Sequence, residues 1–530
     1  MHRRLLLAVL LCAALLRIWH LDSVPLGLHG DEAITGFDAR RVLAEGWIGP
    51  YAYPSALGQP TGPVYFTALL LALFGQSTAT LRLSMALFGV ATIVCTYLAA
   101  RAMFSRAVGL LAAALLVAQP WHLHLSRIAF MVNAWPCLEM AALWLLFRAR
   151  QCDSLGRWAL FGAVAGLGIY TYNADVLSLP VLAVPIVWDL LARWGGVSAP
   201  PGRRRRATVQ QAVLAGAVAV VVALPMVDYA RTHEEYFWHH EQVALSHTPA
   251  WLDADWRGRA QLIGKRAAEW GRGLLVGGRP DDGDGLGARG FPLLDPVTVL
   301  AAALGIGLAG RRWREPAAAT LLAALAVLPL GALLTVEDGL YRRTFGLAPV
   351  LAILAALPLA RLWRQAAARG LAPRRAAAVA LGGLLVLSGA RNAQTYFRPL
   401  QASDQMRYVF PYQIDAAARF VATLPPGSAV FWYSDRWPAG YETRRWFAPD
   451  ADVSERSPEF GAPLESDGTP VIRADSDRES VFILLGAYLG LAEAIQRRHP
   501  GGVVVEQTRD GEILFRAVRV PPLAAESPRV

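Results

Sequence analysis

What most constrains this chain is the recurrence of apolar segments. They lie near residues 4–21, 80–101, 107–120, 133–149, 157–172, 175–194, 209–228, 294–310, 316–336, 344–362 and 375–392. A straight helix needs about 20 apolar residues to cross the hydrocarbon core of a bilayer. Several segments are shorter, so their boundaries are loose. Only 17% of the residues are charged, against ~25% in a soluble domain. The pattern predicts an α-helical polytopic membrane protein of about eleven transmembrane helices. A shorter apolar stretch, 62–75, starts beside Pro60 and Pro63 and reads as a juxtamembrane or re-entrant helix.

Charge sets the expected orientation. The formal net charge is +10, and nearly all the basic residues are Arg; Lys265 is the exception. A basic chain can bind nucleic acid, but here the arginines fall in short loops between apolar segments, so no nucleic-acid partner is expected. With the N-terminus inside, the inner loops hold Arg3 and Arg4, Arg101 and Arg106, Arg148 to Arg157, Arg203 to Arg206, Arg311 to Arg314, and Arg361 to Arg375. Counting 62–75 as a span would break that pattern. Arg3 and Arg4 followed by Leu5 to Leu16 resemble a signal peptide, but no small-x-small site follows, which predicts an uncleaved first helix. The expected location is the cytoplasmic membrane. The outer side then receives loop 22–61, loop 229–293 and everything after about residue 393.

This divides the chain into a membrane domain, 1–392, and an extracytoplasmic α/β domain, 393–530. In the latter, Pro411 to Leu424 reads as helix. Ala429 to Tyr433, Ser480 to Leu485, Gly502 to Gln507 and Glu512 to Val520 read as strands, the last two joined at Asp510-Gly511, a hairpin turn signal. Trp432, Tyr433, Trp437 and Tyr441 read as domain core before carbohydrate platform.

The outer loop after the first helix carries Leu28-His29-Gly30-Asp31-Glu32-Ala33. A carboxylate at the membrane surface can take a proton from an attacking hydroxyl when its surroundings tune it. Adjacent acids at a helix start also complement the helix dipole. Spacing alone leaves both readings open.

The run HGDEA, the tracts GQPTGPVYFTALLLALFG and LRLSMALFG, and the later QPWHLHLSRIAF and GLGIYTYNADVLSLP resemble the bacterial family 39 glycosyltransferases of the GT-C class. These include the protein O-mannosyltransferases and the lipid A aminoarabinose transferases. The resemblance covers residues 1–195 best and does not extend to the C-terminal domain. It implies transfer of a hexose or pentose from a polyprenyl-phosphate carrier to a protein, lipid or glycan acceptor, with inversion. It implies Asp31 as general base and Glu32 as its partner. A leaving phosphate needs cationic donors, and Arg binds phosphate in a bidentate fork. Arg127, Arg342 and Arg343 are the candidates, with Tyr172, Asn173 and His29 as further substrate contacts. Arg342 and Arg343 also suit interfacial anchoring. Arg17 and Arg82, near helix ends, read as snorkelling residues.

No cofactor is required by this reading. A divalent metal is possible, since His29, His122, His124 and the run His233 to Glu241 are rich in ligand types, but the spacing fits no metal motif. Gly285 to Gly290 fits GxGxxG without a preceding strand, and Asp281, Asp282 and Asp284 lack the EF-hand register. The alternative from another class is a transporter or flippase for lipid-linked sugar, which would explain the helices but not the acid pair.

Overall fold

The structure is a computed structural model. It describes residues 2–52, 58–152, 154–191, 205–238, 243–277, 290–336 and 340–522. The chain forms two compact units. One comprises Met1–Val24 and Asp38–Met406; the other comprises Pro25–Phe37 and Arg407–Val530.

The first unit is almost wholly helical. All eleven apolar segments coincide with helices, from α1 (His2–Ile18) through Thr78–Met103 to Leu371–Thr395. Six described helices are long and apolar enough to cross a membrane, while Gly62–Phe74, Arg106–Val117, Leu155–Gly168 and Pro296–Arg311 are apolar but shorter. Length and composition therefore do not set the number of crossings. Local chemistry places the ends. Ser77 and Ser105 accept the amides of Thr80 and Val108, and Asp295 accepts those of Val297 and Thr298 ahead of Pro296. Such caps satisfy helix-start donors that have no partner within the helix.

Burial separates a central helix from peripheral ones. In Leu347–Ala368, residues Ala348 to Ala356 are buried throughout. Helix Arg205–Thr232 instead leaves Val213, Val220, Val221 and Leu224 exposed, as expected of a lipid-facing surface. It packs through small residues. A Cβ on Gly162 would stand 2.2 Å from the Ala215 carbonyl oxygen, and one on Gly166 would stand 2.7 Å from that of Ala219. This small-xxx-small approach brings membrane helices close without a large side chain between them.

The second unit contains a five-stranded mixed sheet. Its order is β4 (Asp452–Glu455), β3 (Ala429–Tyr433), β5 (Ser480–Leu484), β7 (Glu512–Val520), β6 (Val503–Arg509); β1 (Tyr51–Ala52) and β2 (Gln59–Pro60) form a separate small ribbon in the first unit. β3 pairs in parallel with β4 and β5, and β7 is antiparallel to β5 and β6. The apolar strands β3 and β5 are buried at every position, as parallel central strands covered on both faces should be. Asp510 and Gly511 both adopt positive φ, the geometry of a two-residue hairpin turn. Trp432 and Trp437 belong to one core face, with the indole N–H of Trp432 donating to the Trp437 carbonyl at 2.8 Å.

Candidate active site

The acid motif lies in the second unit. Helix α2 runs from Gly30 to Glu45 and opens with Asp31 and Glu32 in its first turn. Its start is held by a reciprocal pair of hydrogen bonds. The Asp31 amide donates to His29 Nδ1 at 3.0 Å, and the His29 amide donates to Glu32 Oε2 at 3.0 Å. This is the capping-box arrangement with an imidazole in place of the usual hydroxyl. Accepting at Nδ1 puts the proton of a neutral ring on Nε2. The two acids therefore differ. Glu32 is fully buried and caps the helix; Asp31 is partly accessible.

Packing within the second unit fixes this motif. The Leu28 amide donates to Asp415 Oδ2 at 3.2 Å, and the Thr443 hydroxyl donates to the Leu28 carbonyl at 2.9 Å. Gly36 lies where any Cβ would stand 2.4 Å from the Trp446 ring. At Gly30, a Cβ would stand 3.3 Å from the Tyr441 hydroxyl and 3.4 Å from Glu442 Oε2. Tyr441 and Glu442 thus lie next to Gly30, the residue before Asp31.

The other expected site residues belong to the first unit. There, Arg127 departs from its expected phosphate role. Its Nη1 donates to the carbonyls of Leu16 at 2.7 Å and Arg17 at 3.1 Å; its Nη2 donates to those of Trp19 at 2.8 Å and Val24 at 3.0 Å. Those are the open carbonyls at and beyond the C-terminal end of α1. The guanidinium also covers the Phe397 ring at 4.8 Å, and burial lowers its pKa. Both terminal nitrogens are committed to carbonyls, leaving no fork for a phosphate. Arg17 and Arg82 do not snorkel either. Both are fully buried; Arg17 donates to the Val117 carbonyl at 2.9 Å and to His122 Nδ1 at 2.7 Å, and Arg82 donates to the Leu21 carbonyl at 3.0 Å.

Arg342 and Arg343 form a 3-10 turn with Thr344, and both are half-buried. Arg342 lies over the Phe130 ring at 5.2 Å. A second 3-10 turn spans Asn173–Leu177. The two turns meet at Gly331, where a Cβ would stand 2.4 Å from the Arg343 carbonyl oxygen and 3.4 Å from Leu177 Cδ1. Tyr172 stacks on Trp135 at 6.1 Å. Burial pushes the Tyr51 hydroxyl up to about 12, with Asn173 acting in the opposite direction. Gly331 thus lies between the backbone of the Arg342–Thr344 turn and a side chain of the Asn173–Leu177 turn.

Glu139 is a residue that the sequence reading missed. It is buried beside Trp135, against Gly346. A charge inside the apolar run 133–149 was the available signal. A cavity of about 210 Å³ lies among Trp121, His124, Phe291, Asn392 and Tyr396; it contains none of the expected site residues. Among the described residues, no three His, Cys, Asp or Glu side chains group as a metal site requires. His239, His240, Glu241, Asp281, Asp282, Asp284 and residues 285–289 of the GxGxxG match lie outside the described residues.

The fold has close counterparts among solved structures. Crystal structures of ArnT from Cupriavidus metallidurans bound to undecaprenyl phosphate align over 98% of this chain and 99% of that one, with a TM-score of 0.57 and 16% identity. The Archaeoglobus fulgidus oligosaccharyltransferase tethered with an acceptor peptide aligns over 97% of this chain and 74% of its own, with a TM-score of 0.52 and 14% identity. The chain therefore shares the fold of these two proteins, and with six described helices long and apolar enough to cross a membrane it is a multi-pass membrane protein. Residues 58–229 match the family described as dolichyl-phosphate-mannose-protein mannosyltransferase. The undecaprenyl phosphate-alpha-4-amino-4-deoxy-L-arabinose arabinosyl transferase 1 of Pseudomonas fluorescens (strain Pf0-1) is 27% identical over 240 residues, 42% of this chain and 39% of that protein. The chain spans less than half the length of the curated relatives it matches.

Proposed function

We propose that the protein is a glycosyltransferase that moves a hexose or pentose from a polyprenyl-phosphate carrier to an acceptor hydroxyl on a protein, lipid or glycan. The reaction would run at the outer face of the cytoplasmic membrane, with the N-terminus inside and the second unit outside. The observation that carries the reading is the division of labour in the acid pair: Glu32 is buried as a cap, and Asp31 sits partly accessible at the helix start.

In this reading Asp31 takes the acceptor hydroxyl proton as the oxygen attacks the anomeric carbon. The new C–O bond forms as the bond from that carbon to the phosphate oxygen breaks. The phosphate leaves with the electron pair, and in-line attack inverts the anomeric centre. Arg342 and Arg343 are the cations assigned to the leaving phosphate, since both Arg127 terminal nitrogens are engaged. Tyr172 and Asn173 are assigned as further substrate contacts.

The test is sugar transfer from a radiolabelled polyprenyl-phosphate donor by purified wild type and Asp31→Asn. Transfer by wild type, with loss of about 10²–10⁴-fold in the variant, fits a general base. Full activity in Asp31→Asn removes the base assignment. A transporter would move donor lipid between leaflets and form no glycosylated product. The same assay with a chelator decides whether a divalent metal takes part.

A further inference from the structure

The cavity in the first unit takes no part in the reaction proposed above. Three segments enclose it: the short helix Pro120–Leu125, the chain from Gly290 to Pro296, and the chain from Arg391 to Leu400. Direct contacts tie these walls together. The Trp121 amide donates to the Leu293 carbonyl at 3.2 Å. The Ser388 hydroxyl donates to Asp295 Oδ1 at 2.8 Å, and His124 Nδ1 lies 3.4 Å from the Tyr396 hydroxyl. In the orientation proposed above, all three segments lie at the outer face.

We propose that this cavity is a saccharide subsite that takes one neutral sugar ring. Its lining carries uncommitted hydrogen-bonding groups. Trp121 is fully buried, and its indole N–H has no acceptor. A buried donor without a partner is costly. Asn392 is buried and Arg391 is exposed, and among the described residues neither side chain is bonded to another. The acid differs. Asp295 Oδ1 accepts the amides of Val297 and Thr298 at 3.1 Å, and its Oδ2 accepts the Thr298 hydroxyl at 2.6 Å. It is committed as a helix cap.

Charge and size decide the class of ligand. The carboxylate of Asp295 and the guanidinium of Arg391 both line the cavity. A phosphate or an ammonium group there would meet repulsion as well as attraction. A neutral polyol meets no such conflict. Its hydroxyls both donate and accept, which suits the Trp121 N–H, the Asn392 amide and the Arg391 fork. Phe291, Pro292, Leu293 and Leu400 supply apolar wall between these groups, against which the C–H faces of a sugar ring can pack. The volume, about 210 Å³, lies below the ~300 Å³ at which pockets for drug-sized ligands begin. It admits one ring and not an oligosaccharide. The source of the ring rests on the glycosyltransferase reading, in which the lipid-linked donor carries one sugar and a glycan acceptor another.

The experiment is saturation-transfer NMR on the full-length protein in a detergent without a sugar headgroup, with free glucose, mannose and arabinose as probes. Wild type should transfer saturation to the ring protons of at least one of these sugars. Trp121→Phe, Asn392→Leu and Arg391→Gln each remove a donor, so each should raise the Kd about three- to tenfold. Asp31→Asn should bind as wild type does. Thermal melts confirm folding. Arg391 is exposed, so Arg391→Gln keeps the test decisive if the buried variants do not fold. Displacement of the free sugar by the lipid-linked donor assigns the ring to the donor, and free sugar retained beside the donor assigns it to the acceptor. Saturation of no sugar by wild type, or an unchanged Kd in every folded variant, overturns the subsite. Displacement by inorganic phosphate also overturns it, by making the cavity an anion site. Sugar binding without sugar transfer removes the glycosyltransferase reading and leaves the subsite standing; transfer without binding does the reverse.

Discussion

The imidazole of His29 accepts the backbone N–H of Asp31 at Nδ1, 3.0 Å away. The side chain before the acid pair thus fixes the amide of the acid that is left accessible. Glu32 completes the loop by returning to the His29 amide. A motif that looks like two equivalent acids is one cap and one reactive candidate.

The cap predicts an asymmetry at Glu32. A glutamine at this helix position can accept the same hydrogen bond, so Glu32→Gln should keep near-wild-type sugar transfer and thermal stability. Glu32→Ala loses the acceptor and should cost about 1 kcal/mol of stability. Thermal melts and transfer assays on both variants check this. Inactivity of a well-folded Glu32→Gln would give Glu32 a chemical role beyond the cap.

Arg127 should behave as a structural residue. Each buried carbonyl that loses its donor costs ~1–3 kcal/mol, and Arg127 serves at least four of them. Arg127→Ala should lower the Tm in detergent or reduce the yield of monodisperse protein. A stable Arg127→Ala whose only defect is donor binding would restore the phosphate role.

Arg342 and Arg343 should show the opposite pattern. Each is half-buried in a short turn. Replacing either with Gln should leave the Tm nearly unchanged and raise the KM for the lipid-linked donor about tenfold or more, the size of a lost charge-assisted hydrogen bond. Steady-state kinetics with varied donor make the comparison, and an unchanged KM in both variants would remove them from the phosphate site.

Gly36 and Trp446 should be coupled. An alanine at 36 would press its Cβ into the indole ring, and overpacking of this kind costs ~1–3 kcal/mol. Gly36→Ala should therefore lower stability and transfer together. Adding Trp446→Leu should recover part of both, and a double-mutant cycle measures the coupling. Additive effects would show that the two positions do not constrain each other.

Much of this architecture was legible in the sequence. Apolar runs of the right period marked the helices of the first unit, because lipid-facing helices carry their signal in composition. Ala429 to Tyr433 and Asp510-Gly511 declared a strand and a hairpin because β-rich residues and αL-tolerant turn residues are local signals. β4, with only Asp452–Glu455 and two charged residues, had too little apolar pattern to read. The site was less legible. The run HGDEA suggested where to seek a site, but His29 as a capping acceptor is an uncommon choice that the sequence did not signal. Arg127 was misread because an exposed phosphate ligand and a buried helix cap use the same side chain. What separates them is the set of carbonyls at the end of α1, 103 to 111 residues away. The nearness of Tyr441 to Gly30 lay beyond the reach of any local pattern, since only tertiary packing brings them together.

The bond between Leu28 and Asp415 spans 387 residues, and that between Leu28 and Thr443 spans 415. This separation bears on biosynthesis. The acid motif leaves the ribosome hundreds of residues before its packing partners Asp415 and Thr443. The sheet behind those partners closes only when β7, ending at Val520, has been translated. Contacts of such long range form late, and domains fold as units as the chain emerges. Chains that stall or are cleaved before β7 would keep their apolar helices and lack the sheet behind the partners of the acid motif. Strand β7 thereby links maturation of the acid motif to translation far downstream of it.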